Sequence, residues 1–336
     1  MILSWNVTKR CNLFCEHCYR ESDMKFYKDE LSLDEGKRLI DGIVKTGRFK
    51  ILILSGGEPL MRDDIYDLIE YASSKGLMPV LGTNGTMIDR DTALKLKESG
   101  IKCLGISLDS CNSKEHDLFR SSKGAFEKTI NGIKNAVELG IKVQINTTIT
   151  KENLSQFDEI LKLSEELGAS ALHPFFLVEA GRGSEISDKK LGDREYLDAL
   201  EHIIKKNETT DLELKPTCAP QYLSIAKELG INMRYTRGCI AGLSYCCILP
   251  NGKVNVCPYM PVEAGDLKLN TFDDIWKNSQ VFNSLRDREN YSGGCSKCRD
   301  FDICGGCRAR AYHKYGNYLA QDPLSYSCYK EKIENE

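Results

Sequence analysis

Cys11, Cys15 and Cys18 place three thiols within one short loop, in the run Thr8-Lys9-Arg10-Cys11-Asn12-Leu13-Phe14-Cys15-Glu16-His17-Cys18-Tyr19. A C-x3-C-x2-C run can hold three irons of a cubane [4Fe–4S] cluster and supplies no fourth ligand, so one iron stays open for something else to chelate. An open iron separates a catalytic cluster from an electron-transfer cluster, which four cysteines usually close. The competing reading, a zinc knuckle or a redox thiol set, fits less well, because zinc sites usually pair C-x-x-C units and close at four ligands.

The thiols are also unevenly spread. Of 15 cysteines, three open the chain, Cys103 and Cys111 stand alone, and ten follow residue 217. The N-terminus has no charged segment leading into a long apolar one, so no signal peptide is expected, and no apolar run reaches membrane-spanning length. A disulfide framework then lacks an oxidising compartment, and a cytoplasmic, metal-binding, oxygen-sensitive protein is expected. Net charge is −3 with both signs interspersed and no basic stripe, which argues against nucleic acid.

Between the first cysteines and the last, short apolar runs alternate with helical patterns. Six strands are expected at Leu3–Thr8, Ile51–Ser55, Met78–Gly82, Cys103–Leu108, Val143–Ile149 and Leu172–Leu177, with helices between them. Ser32 with Glu35 reads as a capping box, and Asn153 with Gln156 as a second. Repeated βα units build either an α/β barrel or an open doubly wound sheet, and the pattern alone leaves both open. Strand ends carry the polar motifs: Gly56-Gly57-Glu58-Pro59, Thr83-Asn84-Gly85 and Ser107-Leu108-Asp109, with Asn146 inside the fifth strand. Active sites of such barrels gather at these ends.

The cysteine loop and the strand-end motifs, in this order, resemble the radical S-adenosylmethionine (SAM) superfamily. That resemblance implies a partial (β/α)6 barrel over residues 1–180, with SAM on the open iron. It implies that Gly56, Gly57 and Glu58 bind the methionine amine. Ser107, Asp109 and Asn146 are candidates for the ribose hydroxyls or the SAM carboxylate, and Arg120 for a charge-assisted bond to that carboxylate.

The later cysteines run Cys239-x6-Cys246-Cys247, then Gly252-x4-Cys257, then Cys295-x2-Cys298-x5-Cys304-x2-Cys307, and finally Cys328. Pro250-Asn251-Gly252-Lys253 reads as a hairpin turn. The pattern resembles the SPASM extension of radical SAM enzymes, over residues 236–330, joined to the barrel by a helical bridge over residues 181–235. Carried over by position, one auxiliary [4Fe–4S] cluster takes Cys239, Cys246, Cys257 and Cys307, and another Cys295, Cys298, Cys304 and Cys328. Two points depart from or qualify the pattern. Two residues separate Cys304 from Cys307 where many members have three, and Cys247 adjoins Cys246 and could replace it. Cys218, in the bridge, is open to a structural role or to a contact with substrate or cluster.

Thr217-Cys218-Ala219-Pro220-Gln221, the stretch from Arg237-Gly238-Cys239 to Cys257-Pro258-Tyr259-Met260-Pro261, and Cys304-Gly305-Gly306-Cys307-Arg308-Ala309-Arg310 together look like the NirJ and haem-synthase group. The group implies a 5′-deoxyadenosyl radical that takes hydrogen from a tetrapyrrole side chain, which is then oxidatively decarboxylated or removed in haem or haem-like cofactor biosynthesis. It also implies a reductase, ferredoxin or flavodoxin as electron donor. Arg182, Arg237, Arg308 and Arg310 are candidate clamps for the carboxylates, with Arg182→Ala then weakening porphyrin binding alone. His173 could touch adenine or ligate haem iron. The alternatives are a peptide maturase, less expected because the chain starts almost at strand one, and a non-catalytic iron–sulfur electron carrier.

Overall fold

The computed structural model describes residues 1–324. All six expected strands are present: β1 (Ile2–Thr8), β2 (Ile51–Gly56), β3 (Met78–Thr83), β4 (Cys103–Ser107), β5 (Lys142–Ile149) and β6 (Ala171–Phe176). They pair in parallel, in sequence order. Helices cross between them, as parallel pairing demands. A short β7 (Glu213–Leu214) extends this edge beyond β6.

The hairpin foreseen around Pro250–Lys253 also forms, as β8 (Tyr245–Ile248) and β9 (Lys253–Cys257), followed by β10 (Met260–Asp266). Its place differs from a separate cysteine-rich unit. β8 lies parallel against β1, with Leu3 opposite Cys246 and Ser4 opposite Cys247, so one ten-stranded sheet runs β10-β9-β8-β1-β2-β3-β4-β5-β6-β7. Cys218, just past β7 at one end, lies close enough to Cys257 on β9 at the other for their charges to interact. The sheet therefore curls until its ends approach, which is a partial barrel.

Side chains alternate across each strand. Leu3, Trp5, Leu52, Leu54, Leu104, Ile106, Ile145 and Leu172 are fully buried in the apolar core beneath the helices. Gly36, on the first helix, is where the Trp5 ring packs too closely for any Cβ. The opposite parity is polar and lines the concave side: Ser4, Asn6, Ser107, Asn146, His173 and Lys215.

The helix Leu33–Lys45 has the expected Ser32–Glu35 capping box. Asn153 and Gln156 form none. Asn153 turns back to bind the Thr150 N–H and the carbonyls of Asp109 and Thr148, and Gln156 binds Ser110 and Glu115, so both pin strand ends instead.

Candidate active site

The loop after β1 turns its cysteines into a small buried cluster with Leu13 and Ala125. Each sulfur accepts one N–H: Cys11 from Leu13 at 3.4 Å, Cys18 from Ser22 at 3.5 Å, and Cys15 from the Arg120 guanidinium at 3.6 Å. Donors aimed at sulfur favour thiolate, the form that binds iron. Burial, and then the Glu58 charge, push the Cys11 thiol up to about 12, and burial also raises Cys15. Metal must therefore displace protons to bind here. Among the described residues no three His, Cys, Asp or Glu side chains are grouped to hold a single metal ion.

The glycines of the second loop have a definite job. Gly57 N donates to Thr8 O at 2.8 Å and Glu58 N to Arg10 O at 2.9 Å. A Cβ at Gly56 would overlap the Thr8 carbonyl oxygen, and one at Gly57 the Arg10 carbonyl oxygen. Both glycines thus allow the loop to lie directly against the cysteine loop. The fully buried Glu58 carboxylate accepts from Leu60 N, Thr83 Oγ1 and Asn84 N, at 3.1, 2.8 and 2.8 Å. Burial outweighs these bonds and raises its carboxyl to about 7. Asn84 Nδ2 reaches Asn12 Oδ1 at 2.8 Å, which ties the third strand-end loop to the cysteine loop.

Asp109 and Arg120 meet each other. They form a buried ion pair at 2.5 Å, and Asp109 also accepts from Thr148 N at 2.8 Å. Burial alone would raise the Asp109 carboxyl, but the Arg120 guanidinium beside it holds it below its ordinary value. The sequence leaves both side chains free for SAM; in the structure Arg120 donates to Asp109 and Cys15. Ser107 and Asn146 are adjacent in register at the ends of β4 and β5. His17, inside the cysteine loop, stacks on Phe119 with ring centroids 4.3 Å apart and leaves Nδ1 without a partner.

The auxiliary cysteines regroup. Cys246 faces the core beneath the helices, fully buried opposite Leu3. Its neighbour Cys247 points to the concave side and accepts from Asn6 Nδ2 at 3.5 Å. The charges of Cys218, Cys239, Cys257 and Cys307 act on one another, while the thiol that acts on Cys246 is its neighbour Cys247. Cys218 therefore joins Cys239, Cys257 and Cys307 as a candidate ligand beside the Cys246 of the position-by-position transfer. Cys218 also sits in the left-handed region at φ 59°, which costs a residue with a Cβ roughly 1 kcal/mol, and Arg310 grips its carbonyl. Cys304 feels both Cys295 and Cys298, a second group, while Cys328 lies outside the described residues.

The four candidate arginine clamps all bond elsewhere, although Arg182 Nη2 and Arg237 Nε stay buried without a partner. Arg182 donates to Cys15 O at 2.9 Å and Ser22 O at 3.0 Å and lies over the Phe14 ring, so it braces the cysteine loop. Arg308 holds the Gly306, Tyr318 and Ala320 carbonyls, Arg310 pairs with Asp322 at 2.7 Å, and Arg237 donates to Asp302 O at 2.9 Å. Arg182→Ala is accordingly expected to lower iron retained at the first cluster after gel filtration, instead of weakening porphyrin binding alone. Wild-type iron content in that variant would contradict the bracing role.

Against known proteins, the radical SAM superfamily profile matches residues 5–164 and the SPASM iron-sulfur cluster-binding domain residues 239–299. The chain is 41% identical over 335 residues to the AdoMet-dependent heme synthase of Nitratidesulfovibrio vulgaris, spanning 96% of this chain and 91% of that one. It is 40% identical over 334 residues to the AdoMet-dependent heme synthase of Methanosarcina barkeri, spanning 96% and 95%. The crystal structure of Streptococcus suis SuiB bound to S-adenosylmethionine has the same fold at a TM-score of 0.79 and 19% identity, covering 97% of this chain and 77% of that one. Fold and cysteine loop define a radical SAM enzyme with an auxiliary iron–sulfur module. Within that superfamily the chain belongs to the SPASM-bearing family that includes the AdoMet-dependent heme synthases. Its cofactors are SAM, a catalytic [4Fe–4S] cluster and auxiliary iron–sulfur clusters, and the reading as a non-catalytic carrier falls. No helix among the described residues is long and apolar enough to cross a membrane.

Proposed function

We propose that this enzyme oxidatively decarboxylates or removes side chains of a tetrapyrrole in haem or haem-like cofactor biosynthesis. The observation that carries the reading is the identity of 40–41% to heme synthases over nearly the whole of both chains. The barrel is assigned to residues 1–180, the bridge to 181–235 and the auxiliary-cluster domain to 236–330. Cys11, Cys15 and Cys18 hold the catalytic cluster. Cys218, Cys239, Cys257 and Cys307 hold one auxiliary cluster, and Cys295, Cys298, Cys304 and Cys328 another. When bound, the catalytic cluster and SAM supply a 5′-deoxyadenosyl radical that takes a hydrogen atom from the substrate.

The chain's own part is to hold, orient and keep out water. Glu58, anchored by three hydrogen bonds, presents a buried carboxylate to the SAM ammonium. Ser107 and Asn146 supply polar groups for the remainder of SAM, while the Asp109–Arg120 pair shapes the floor below and steadies Cys15. A ferredoxin or flavodoxin supplies the electron, and the setting is cytoplasmic.

Glu58 makes the binding pH-dependent. Its carboxyl is raised to about 7, so it is protonated below that pH and charged above it. Only the charged form attracts an ammonium, so SAM affinity is expected to rise between pH 6 and 8 and this rise to vanish in Glu58→Gln. An equal pH slope in wild type and variant would remove Glu58 from the SAM site.

The substrate class is tested by anaerobic titration of the iron-loaded enzyme with iron-coproporphyrin III. A saturable Soret shift supports the tetrapyrrole reading; no shift overturns it and favours a peptide substrate.

A further inference from the structure

Beyond the four arginines, the concave side carries two further cations that make no ion pair among the described residues. Lys215 follows β7 and completes a row of inward polar side chains across four strands. Ser107 is level with Asn146, Asn146 with His173, and Lys215 N donates to Leu172 O beside His173. Lys215 Nζ lies 4.1 Å from the Tyr235 ring centroid and makes no ion pair or hydrogen bond among the described residues. Glu213, two residues before it, is engaged by Arg234 and the Tyr235 hydroxyl. His173, beside it, is buried with Nε2 unpartnered, 3.6 Å from Glu213.

A second cation faces the same space from the other end of the sheet. Arg20 has no acceptor among the described residues, and its Nε is buried and unpaired. Its charge acts on Tyr19 and on Cys247, whose side chains meet the inward-facing Asn6 of β1. Tyr19 packs on Tyr259 with centroids 4.8 Å apart, and Tyr259 in turn feels Cys218, next to Lys215. Lys215 and Arg20 thus each adjoin an auxiliary-module cysteine, Lys215 at Cys218 and Arg20 at Cys247. Asp109 and Asp322 are paired with Arg120 and Arg310. A half-buried lysine and a partly buried guanidinium cost free energy unless anions face them, and the thiolates of Cys218 and Cys247 meet that need only in part, which leaves room for an anionic ligand.

We propose that Lys215 and Arg20, with His173 Nε2 beside Lys215, form the site that takes the carboxylate side chains of the substrate. The site suits an anion with at least two separated carboxylates on a flat apolar body, which Tyr19, Tyr235 and Tyr259 can pack against. This rests on the tetrapyrrole reading and adds to it the residues that grip the macrocycle.

The test compares iron-coproporphyrin III, which has four carboxylates, with its tetramethyl ester, by Soret titration of the anaerobic, iron-loaded enzyme. Lys215→Gln and Arg20→Gln are each expected to weaken binding of the acid about tenfold or more, the size of a lost charge-assisted hydrogen bond. Binding of the ester is expected to change little, and Lys215→Arg and Arg20→Lys to retain most of the affinity for the acid. Iron and sulfide content verifies that each variant is loaded. Unchanged affinity for the acid in both Gln variants overturns the site alone, as does an equal loss for acid and ester. Weaker SAM binding with unchanged porphyrin affinity would assign the two cations to the SAM carboxylate and also overturn it. A wild type that shows no Soret shift overturns the tetrapyrrole reading and this site with it.

Discussion

Cys218→Gly is expected to lose about one to four irons per chain, while Cys246→Ala keeps the wild-type iron content. The contrast follows from which way each thiol faces. Cys218 stands with Cys239, Cys257 and Cys307, whereas Cys246 is sealed into the apolar core opposite Leu3. Glycine is the informative replacement at position 218, because φ is 59° there and glycine meets that conformation without a Cβ penalty. The metal-free Cys218→Gly protein is therefore expected to be at least as stable as wild type, so that iron loss reports ligation and not misfolding. Cys246→Ala should do the reverse, removing a packed sulfur and costing about 1 kcal/mol in chemical denaturation with iron unchanged. Iron loss in Cys246→Ala with full iron in Cys218→Gly would restore the assignment by sequence position.

Arg120→Met is expected to destabilise the fold by about 3–5 kcal/mol, the usual consequence of stranding one member of a buried ion pair. Asp109 remains almost wholly buried and keeps only the Thr148 N–H to stabilise its charge. The same substitution removes the N–H donor from Cys15, so iron at the first cluster should fall as well. Asp109→Leu with Arg120→Met together should cost less than Arg120→Met alone, because no charge is then left unpaired. Denaturation midpoints that fall additively in the double variant would show that the two side chains act independently.

Much of the scaffold was legible from the chain. Apolar runs marked the six strands within a residue or two, the Ser32–Glu35 box marked a helix start, and Pro250–Lys253 marked the hairpin. These signals are local: periodicity, caps and turn residues act over a few positions. What escaped was set by partners distant in sequence. Cys246 and Cys247 differ by one residue and so point to opposite faces of β8, and only the pairing of β8 with β1 decides which face is which. The arginines announced charge but not their acceptors, which are mostly loop carbonyls such as Cys15 O for Arg182. Asp109 and Arg120 were both picked out, yet their spacing gave no sign that each would use up the other. Lys215 carries a usable signal, since it continues the alternation of Glu213 and Leu214 onto the concave side. His17 was likewise visible in the cysteine loop without any hint of its stack on Phe119.

The most direct measurement is an anaerobic assay of the reconstituted enzyme with dithionite, SAM and iron-coproporphyrin III, with products read by mass spectrometry. The expected products are 5′-deoxyadenosine and a porphyrin lighter by carboxyl groups. 5′-Deoxyadenosine with an unchanged porphyrin would contradict the substrate, and its absence would contradict the radical chemistry itself.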